Sequence, residues 1–145
     1  MGESSNRTEV GSSQTVAVGG LHHLSFTVSN AEQSRDFYTS LLGFQVVTEL
    51  PKGYFLSNGT AMFGVRTAPD PSQAMTSDRF NENRVGLDHF ALSVPDRGAL
   101  ERAVAVLDAR GIGHGEITNL EPFGIVVLFF RDPDNIQVEL TAPLS

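Results

Sequence analysis

Cysteine and tryptophan are absent from the 145 residues, and lysine occurs once, at Lys52. Without cysteine there can be no disulfide, zinc ribbon, thiolate cluster or thiol nucleophile. Ten basic against seventeen acidic side chains give a formal net charge of −7. That balance argues against nucleic acid as a partner, because phosphate binding rests on clustered Lys and Arg. No apolar run approaches the roughly 20 residues of a membrane helix, and the N-terminus has no apolar core of a secretory signal. G-x-S-x-G, P-loop and Rossmann glycine patterns are missing as well. What remains is the expectation of a soluble, cytoplasmic domain acting on a small molecule, with no nucleic acid or membrane partner.

What is present reads as two copies of one unit. Residues 1–18 are polar and aperiodic, and are expected to form a disordered tail. LHHLSFTV (21–28) alternates and is rich in β-formers, predicting a strand. Asn30 stands as the N-cap of a helix carrying Phe37, Tyr38, Leu41 and Leu42 on one stripe, with Gly43 as its stop. Strands are predicted over 44–50, 53–57 and 60–66, with Asn58-Gly59 as a hairpin signal between the last two. The order repeats from 86 on: a strand (86–96), the N-cap Asp96, a helix stopping at Gly111, and strands near 114–119, 124–131 and 136–141. A shift of 66 positions lays GLHHLSFTVSN on GLDHFALSVPD and matches Gly20, Leu21, His23 and Val28 to Gly86, Leu87, His89 and Val94. The expected fold is therefore α+β, with βαβββ modules at 19–66 and 86–144 joined by a polar linker or lid at 67–85. A unit this small cannot bury both sheet faces alone, so two must pair.

Alternation places the chemistry. Leu24, Phe26 and Val28 belong under the helix, which turns His23, Ser25 and Thr27 to the other face. By the same parity His89, Ala91 and Ser93 face away from the second helix, as do Gln137 and Glu139 on the last strand. Both histidines and Glu139 are thus expected to look into one concavity, and two imidazoles with a carboxylate on one sheet face suit a divalent metal: Fe²⁺ or Mn²⁺ first, with Ni²⁺, Co²⁺ and Zn²⁺ also compatible. Each of these residues taken alone has an ordinary reading, as a hydrogen-bonded strand histidine or a solvated glutamate. Ser25, Thr27, Met62, Gly64, Ala91, Val127, Phe129 and Gln137 are expected to line a mostly apolar substrate pocket. His114 and Tyr54 are weak candidates for a catalytic proton carrier, His22 should point away from His23, and Tyr38 should pack in the core.

HLSFTVSN with FYTSLLGF, and GLDHFALSV with FRDPDNIQVEL, resemble the vicinal oxygen chelate superfamily, which includes glyoxalase I, extradiol dioxygenases, fosfomycin-resistance enzymes and bleomycin-resistance proteins. The resemblance spans about residues 20–143. It implies paired βαβββ modules of glyoxalase/dihydroxybiphenyl-dioxygenase type around a U-shaped cavity, with ligand positions at His23, Gly64, His89 and Glu139. Gly64 departs from the fourth ligand of glyoxalase I, and a His-His-Glu set is similar to that of dioxygenases and fosfomycin enzymes. Phe129 departs from the tyrosine that the ring-cleaving members carry ten positions before the glutamate. Arg131 is the one cation in the strand region 114–131, where fosfomycin enzymes need several.

Two functions follow. One is a metal-dependent lyase, isomerase or dioxygenase whose small, hydrophobic or aromatic oxygenated substrate chelates a metal on His23, His89 and Glu139. The other is a metal-free protein that sequesters a drug or natural product, as bleomycin-resistance proteins do. Either is expected to be a homodimer. The linker would permit swapping, in which case His23 comes from one chain and His89 with Glu139 from the other.

Overall fold

A computed structural model describes residues 14–145; of the predicted tail, positions 1–13 lie outside the described residues, and 14–18 have no regular secondary structure. The first unit comprises β1 (Leu24–Thr27), α1 (Ala31–Leu42), β2 (Gln45–Leu50), β3 (Gly53–Ser57) and β4 (Met62–Arg66). The second comprises β5 (Phe90–Ser93), α2 (Arg97–Ala109), β6 (Thr118–Leu120), β7 (Ile125–Arg131) and β8 (Gln137–Pro143). Each makes a four-stranded mixed sheet, ordered β1-β4-β3-β2 and β5-β8-β7-β6, whose first and last strands run parallel. The fold is thus α+β with two βαβββ units.

The signals that set these elements are local. Asn30 accepts from the Gln33 amide at 2.9 Å and Asp96 from the Ala99 amide at 2.9 Å, each satisfying an orphan donor of the first helical turn. Gly43 closes α1 at φ 74°, a left-handed conformation open to glycine without steric cost. The two first strands are shorter than alternation predicts. Parallel pairing begins only at Leu24–Phe63 and Phe90–Val138, so 21–23 and 86–89 have no rung to join, and each histidine stands one residue before its strand. The predicted strand at 114–119 likewise contracts to Thr118–Leu120; His114 forms one isolated bridge to Phe130 between two glycines that favour no strand.

The helix-side faces of the two sheets meet in a common core. Phe26 stacks on Phe90 with ring centroids 5.0 Å apart, and Phe63 meets Phe90 edge-on at 5.0 Å. Helix α1 packs on β3 and β4 of its own sheet and reaches the other through Phe37–Phe130 and Tyr38–Phe90. Polar clamps complete the joint: the buried Tyr38 hydroxyl donates to Asp132 at 2.8 Å, and the Ser29 amide donates to both oxygens of Asp134. The opposite faces of both sheets are consequently turned outward, away from each other.

The segment 67–85 holds one 3-10 turn, Pro71–Gln73, and is fastened to the β7–β8 turn. The Phe80 amide donates to the Asp134 carbonyl, Asn135 Nδ2 donates to the Phe80 carbonyl, and Glu82 grips Arg131. Among the described residues no helix is long and apolar enough to cross a membrane.

Candidate functional site

Strand register sorts the outward side chains into three rows on each sheet. On the second sheet Gln137 pairs with Arg131 beside His89, the next row is Ala91–Glu139–Phe129, and the third is Ser93–Thr141–Val127. On the first sheet Met62 pairs with Ser57 beside His23, then come Ser25–Gly64–Phe55 and Thr27–Arg66–Gly53. Gly64 therefore occupies the position of Glu139 in the other unit. A β-carbon at Gly64 would lie 2.8 Å from the Ser25 hydroxyl, which fills the place a longer side chain would need. Both histidines rest edge-on against phenylalanines of the third strand, His23 on Phe55 at 5.6 Å and His89 on Phe129 at 5.4 Å.

The second sheet carries two of the predicted ligands side by side. His89 Nε2 lies 3.6 Å from Glu139 Oε1. Glu139 is buried, at 6% exposure, and its other oxygen accepts from the Thr141 hydroxyl. The far side of the imidazole is fixed by Asp88, whose Oδ1 lies 2.7 Å from His89 Nδ1 and accepts from Gln137 Nε2 at 3.2 Å. A carboxylate against Nδ1 fixes the ring so that Nε2 is the nitrogen presented beside Glu139, the one a metal would take. On the first sheet His22 occupies the repeat position of Asp88, and its Nδ1 lies 2.8 Å from His23 Nδ1.

The donor set fits a divalent cation. Adjacent ligands at metal bonds of about 2.1 Å stand about 3.0–3.4 Å apart, close to the His89–Glu139 separation. A buried carboxylate with only a hydroxyl and an imidazole for partners is short of positive charge, which a cation would provide. His23 does not join the pair within one chain: among the described residues no three His, Asp or Glu side chains converge. The physical reason is the core, which joins the units through their helix sides and sends the two outward faces apart.

The remaining predicted residues divide between the two sides. Ser25, Thr27 and Ala91 are exposed on the outward faces, while Met62, Phe129 and Gln137 are half-buried there and Gly64 and Val127 are buried. Tyr54 is a correction: it shares parity with Leu56 and lies under α1, where its hydroxyl accepts from Arg35 Nη1 at 2.8 Å, so it cannot reach the outward face. His114 is placed away from the site, with Nδ1 against the Gly115 carbonyl and Nε2 against Asp108, both at 2.7 Å. These acceptors raise its pKa, the Gly115 carbonyl most. His22 is a second correction. It stands in a segment without ladder pairing, so alternation does not turn it away from His23. Asp88 and Thr141 were missed as well; the repeat alignment of Asp88 with His22 was the one available signal for the first, and nothing local marked the second.

Arg131 closes the first row of the second sheet. Both guanidinium arms donate to Glu82 at 2.9 Å, and that hydrogen bonding lowers the Glu82 pKa to about 2.

Known proteins are similar to this chain in sequence and in fold. YwkD of Bacillus subtilis (strain 168), an uncharacterized protein, is 33% identical over 127 residues, covering 83% of this chain and 94% of that protein. Catechol-2,3-dioxygenase of the same organism is 31% identical over 118 residues, which cover 80% of this chain but 39% of that enzyme. The crystal structure of a glyoxylase/bleomycin resistance protein/dioxygenase domain from Frankia sp. EAN1pec superposes with a TM-score of 0.73 at 26% identity, covering 88% of this chain and 93% of that one. Paired βαβββ units, histidines at equivalent ends of the first strands and a sequence profile matching residues 20–140 agree: the chain belongs to the Glyoxalase/Bleomycin resistance protein/Dioxygenase superfamily.

Proposed function

We propose that the protein is a metal-dependent enzyme acting on a small, hydrophobic or aromatic molecule with two vicinal oxygens. Its metal centre is completed in a homodimer, with His23 of one protomer facing the His89–Glu139 pair of the other. The observation that carries this reading is the His89 Nε2–Glu139 Oε1 pair, held by Asp88 from behind and turned outward from the chain's own core. Sheets whose outward faces diverge within a chain enclose a cavity when they meet those of a second copy.

The donor set suits Fe²⁺ or Mn²⁺ best. Once bound, such an ion supplies Lewis acidity to chelated oxygens and, if it is iron, a route to oxygen activation. The chain's own residues do the rest. Ser25, Ala91 and Gly64 are small and leave room above the ligands. Met62, Phe55 and Phe129 are apolar walls that exclude water and favour a hydrophobic substrate. Phe129 offers no hydroxyl, so the protein supplies no phenolic acid beside Glu139. Isomerisation, or addition and elimination, therefore fits these walls better than ring cleavage.

The test is metal content of native protein alongside His23→Ala, Glu139→Ala, and a refolded mixture of the two variants. Native dimer should hold near one equivalent per chain, and each variant alone should hold almost none. Random pairing rebuilds one intact site in each mixed dimer, so the mixture should recover about a quarter of the native metal. No recovery, with both variants folded and dimeric, would exclude the shared site. No metal even in native protein would instead favour a sequestering protein of bleomycin-resistance type, its apolar faces forming the binding cavity.

A further inference from the structure

Arginines stand on the outward faces of both sheets, and their circumstances differ. Arg131 is matched by Glu82, both arms engaged. Arg66, at the end of β4, shares parity with Met62 and Gly64 and so stands on the outward face of the first sheet, two residues beyond the ligand position held by Gly64. It is exposed, and its side chain has no hydrogen bond or ion pair among the described residues. Its backbone is nevertheless fixed, because the Arg66 carbonyl accepts from the Val28 amide at 2.8 Å. On one flank is Thr27, and on the other Gly53, whose missing side chain could not be restored: a β-carbon there would sit 1.9 Å from the Val65 carbonyl oxygen.

The chain's single lysine lies at the same corner. Lys52 Nζ donates to the carbonyls of Ala68 and Pro69 at 3.3 and 2.6 Å, which holds the ammonium in place and leaves its third N–H undirected. Lys52 and Arg66 line a groove of about 230 Å³ with Pro51, Thr67 and Pro69, and no carboxylate takes part in its wall. In a protein of net charge −7, two cations in a wall that holds no carboxylate form a local positive field, which a bound anion would neutralise.

We propose that this groove is an anion subsite, taking a carboxylate carried by the ligand on the Arg66 guanidinium and the Lys52 ammonium. Two residues of strand span about 6.6 Å, so the subsite lies about one aromatic ring beyond the level of Gly64. The substrate class is thereby narrowed to an aromatic or similarly compact acid, with vicinal oxygens at one end and a carboxylate at the other. The link to vicinal oxygens rests on the metal reading above; the anion subsite itself does not.

The experiment has two arms, both on the native dimer and on Arg66→Gln and Lys52→Gln. In the metal-free arm, calorimetry compares benzoate with benzyl alcohol. In the metal-loaded arm it compares 3,4-dihydroxybenzoate with catechol, with metal content measured in every sample. The acids should bind more tightly than their neutral analogues to native protein. Arg66→Gln should remove that preference, weakening the acids about tenfold or more and leaving catechol and metal content unchanged. Equal binding of acid and neutral compound by native protein in the metal-free arm overturns the subsite, whatever the metal analysis gives. A native protein that takes no metal yet prefers benzoate, through Arg66, overturns the metal reading and leaves the subsite standing.

Discussion

Asp88 and Glu139 show how one side chain can tune another at the residue scale. Asp88 hydrogen-bonds the back of His89 and Gln137, so its effect on a metal is through orientation of the imidazole. Asp88→Ala should lower metal affinity about 10–100-fold while thermal unfolding of the metal-free protein stays unchanged, as isothermal titration and calorimetric melting would show. Glu139 is different, being a buried carboxylate that only a hydroxyl and an imidazole approach. Its burial costs stability unless a cation shares the site. Glu139→Gln should abolish metal uptake and yet melt no lower than the native metal-free protein; a clear drop in melting temperature would mark the carboxylate as a structural group.

The contact that matters most at the element scale is the clamp between segment 67–85 and β7. Glu82 titrates at about 2, below its ordinary 4.5, because Arg131 hydrogen-bonds its charged form. A lowered carboxylate pKa means the clamp is fully formed above pH 4.5 and weakens as the pH falls toward 2. Protection from hydrogen exchange at 78–84, taken relative to the intrinsic amide rate at each pH, should fall across that window in native protein and be low already at neutral pH in Glu82→Gln. His114 acts in the opposite sense. Its raised pKa makes the tie from α2 to the following loop strongest when the ring is protonated, and that contribution is lost as the pH rises through the folded value. The capping residues obey simpler rules, and Asn30→Ala or Asp96→Ala should each cost about 0.5–2 kcal/mol in denaturant unfolding.

The whole molecule is held by what crosses from one unit to the other. Phe26 contacts Tyr38, Phe63 and Phe90 and is almost fully buried. Truncation to alanine would open a cavity in the joint and should cost about 3–5 kcal/mol, read as a lower denaturant midpoint. Tyr38→Phe removes one hydroxyl but leaves the buried Asp132 short of a donor, at a cost of about 1–3 kcal/mol. Burial already raises the Asp132 pKa, and loss of the hydroxyl, which favours the charged form, should raise it further.

Much of this was legible in the chain itself, for reasons of range. Caps act within three residues, Asn-Gly and Asp-Pro-Asp-Asn direct turns locally, and strict alternation tells that Phe26 and Val138 face the helix side while Ser25 and Glu139 face outward. The 66-residue repeat then made the units equivalent, and with them His23 and His89. Tertiary structure alone decided what depends on contacts between distant segments. It put Tyr54 beneath α1, brought His22 against His23 in a stretch that joins no ladder, and set Glu82 on Arg131. Above all it decided that the helix sides of the two units meet. Periodicity fixes which face of a sheet is apolar, but not which other apolar face will cover it. That choice turned His23 away from Glu139.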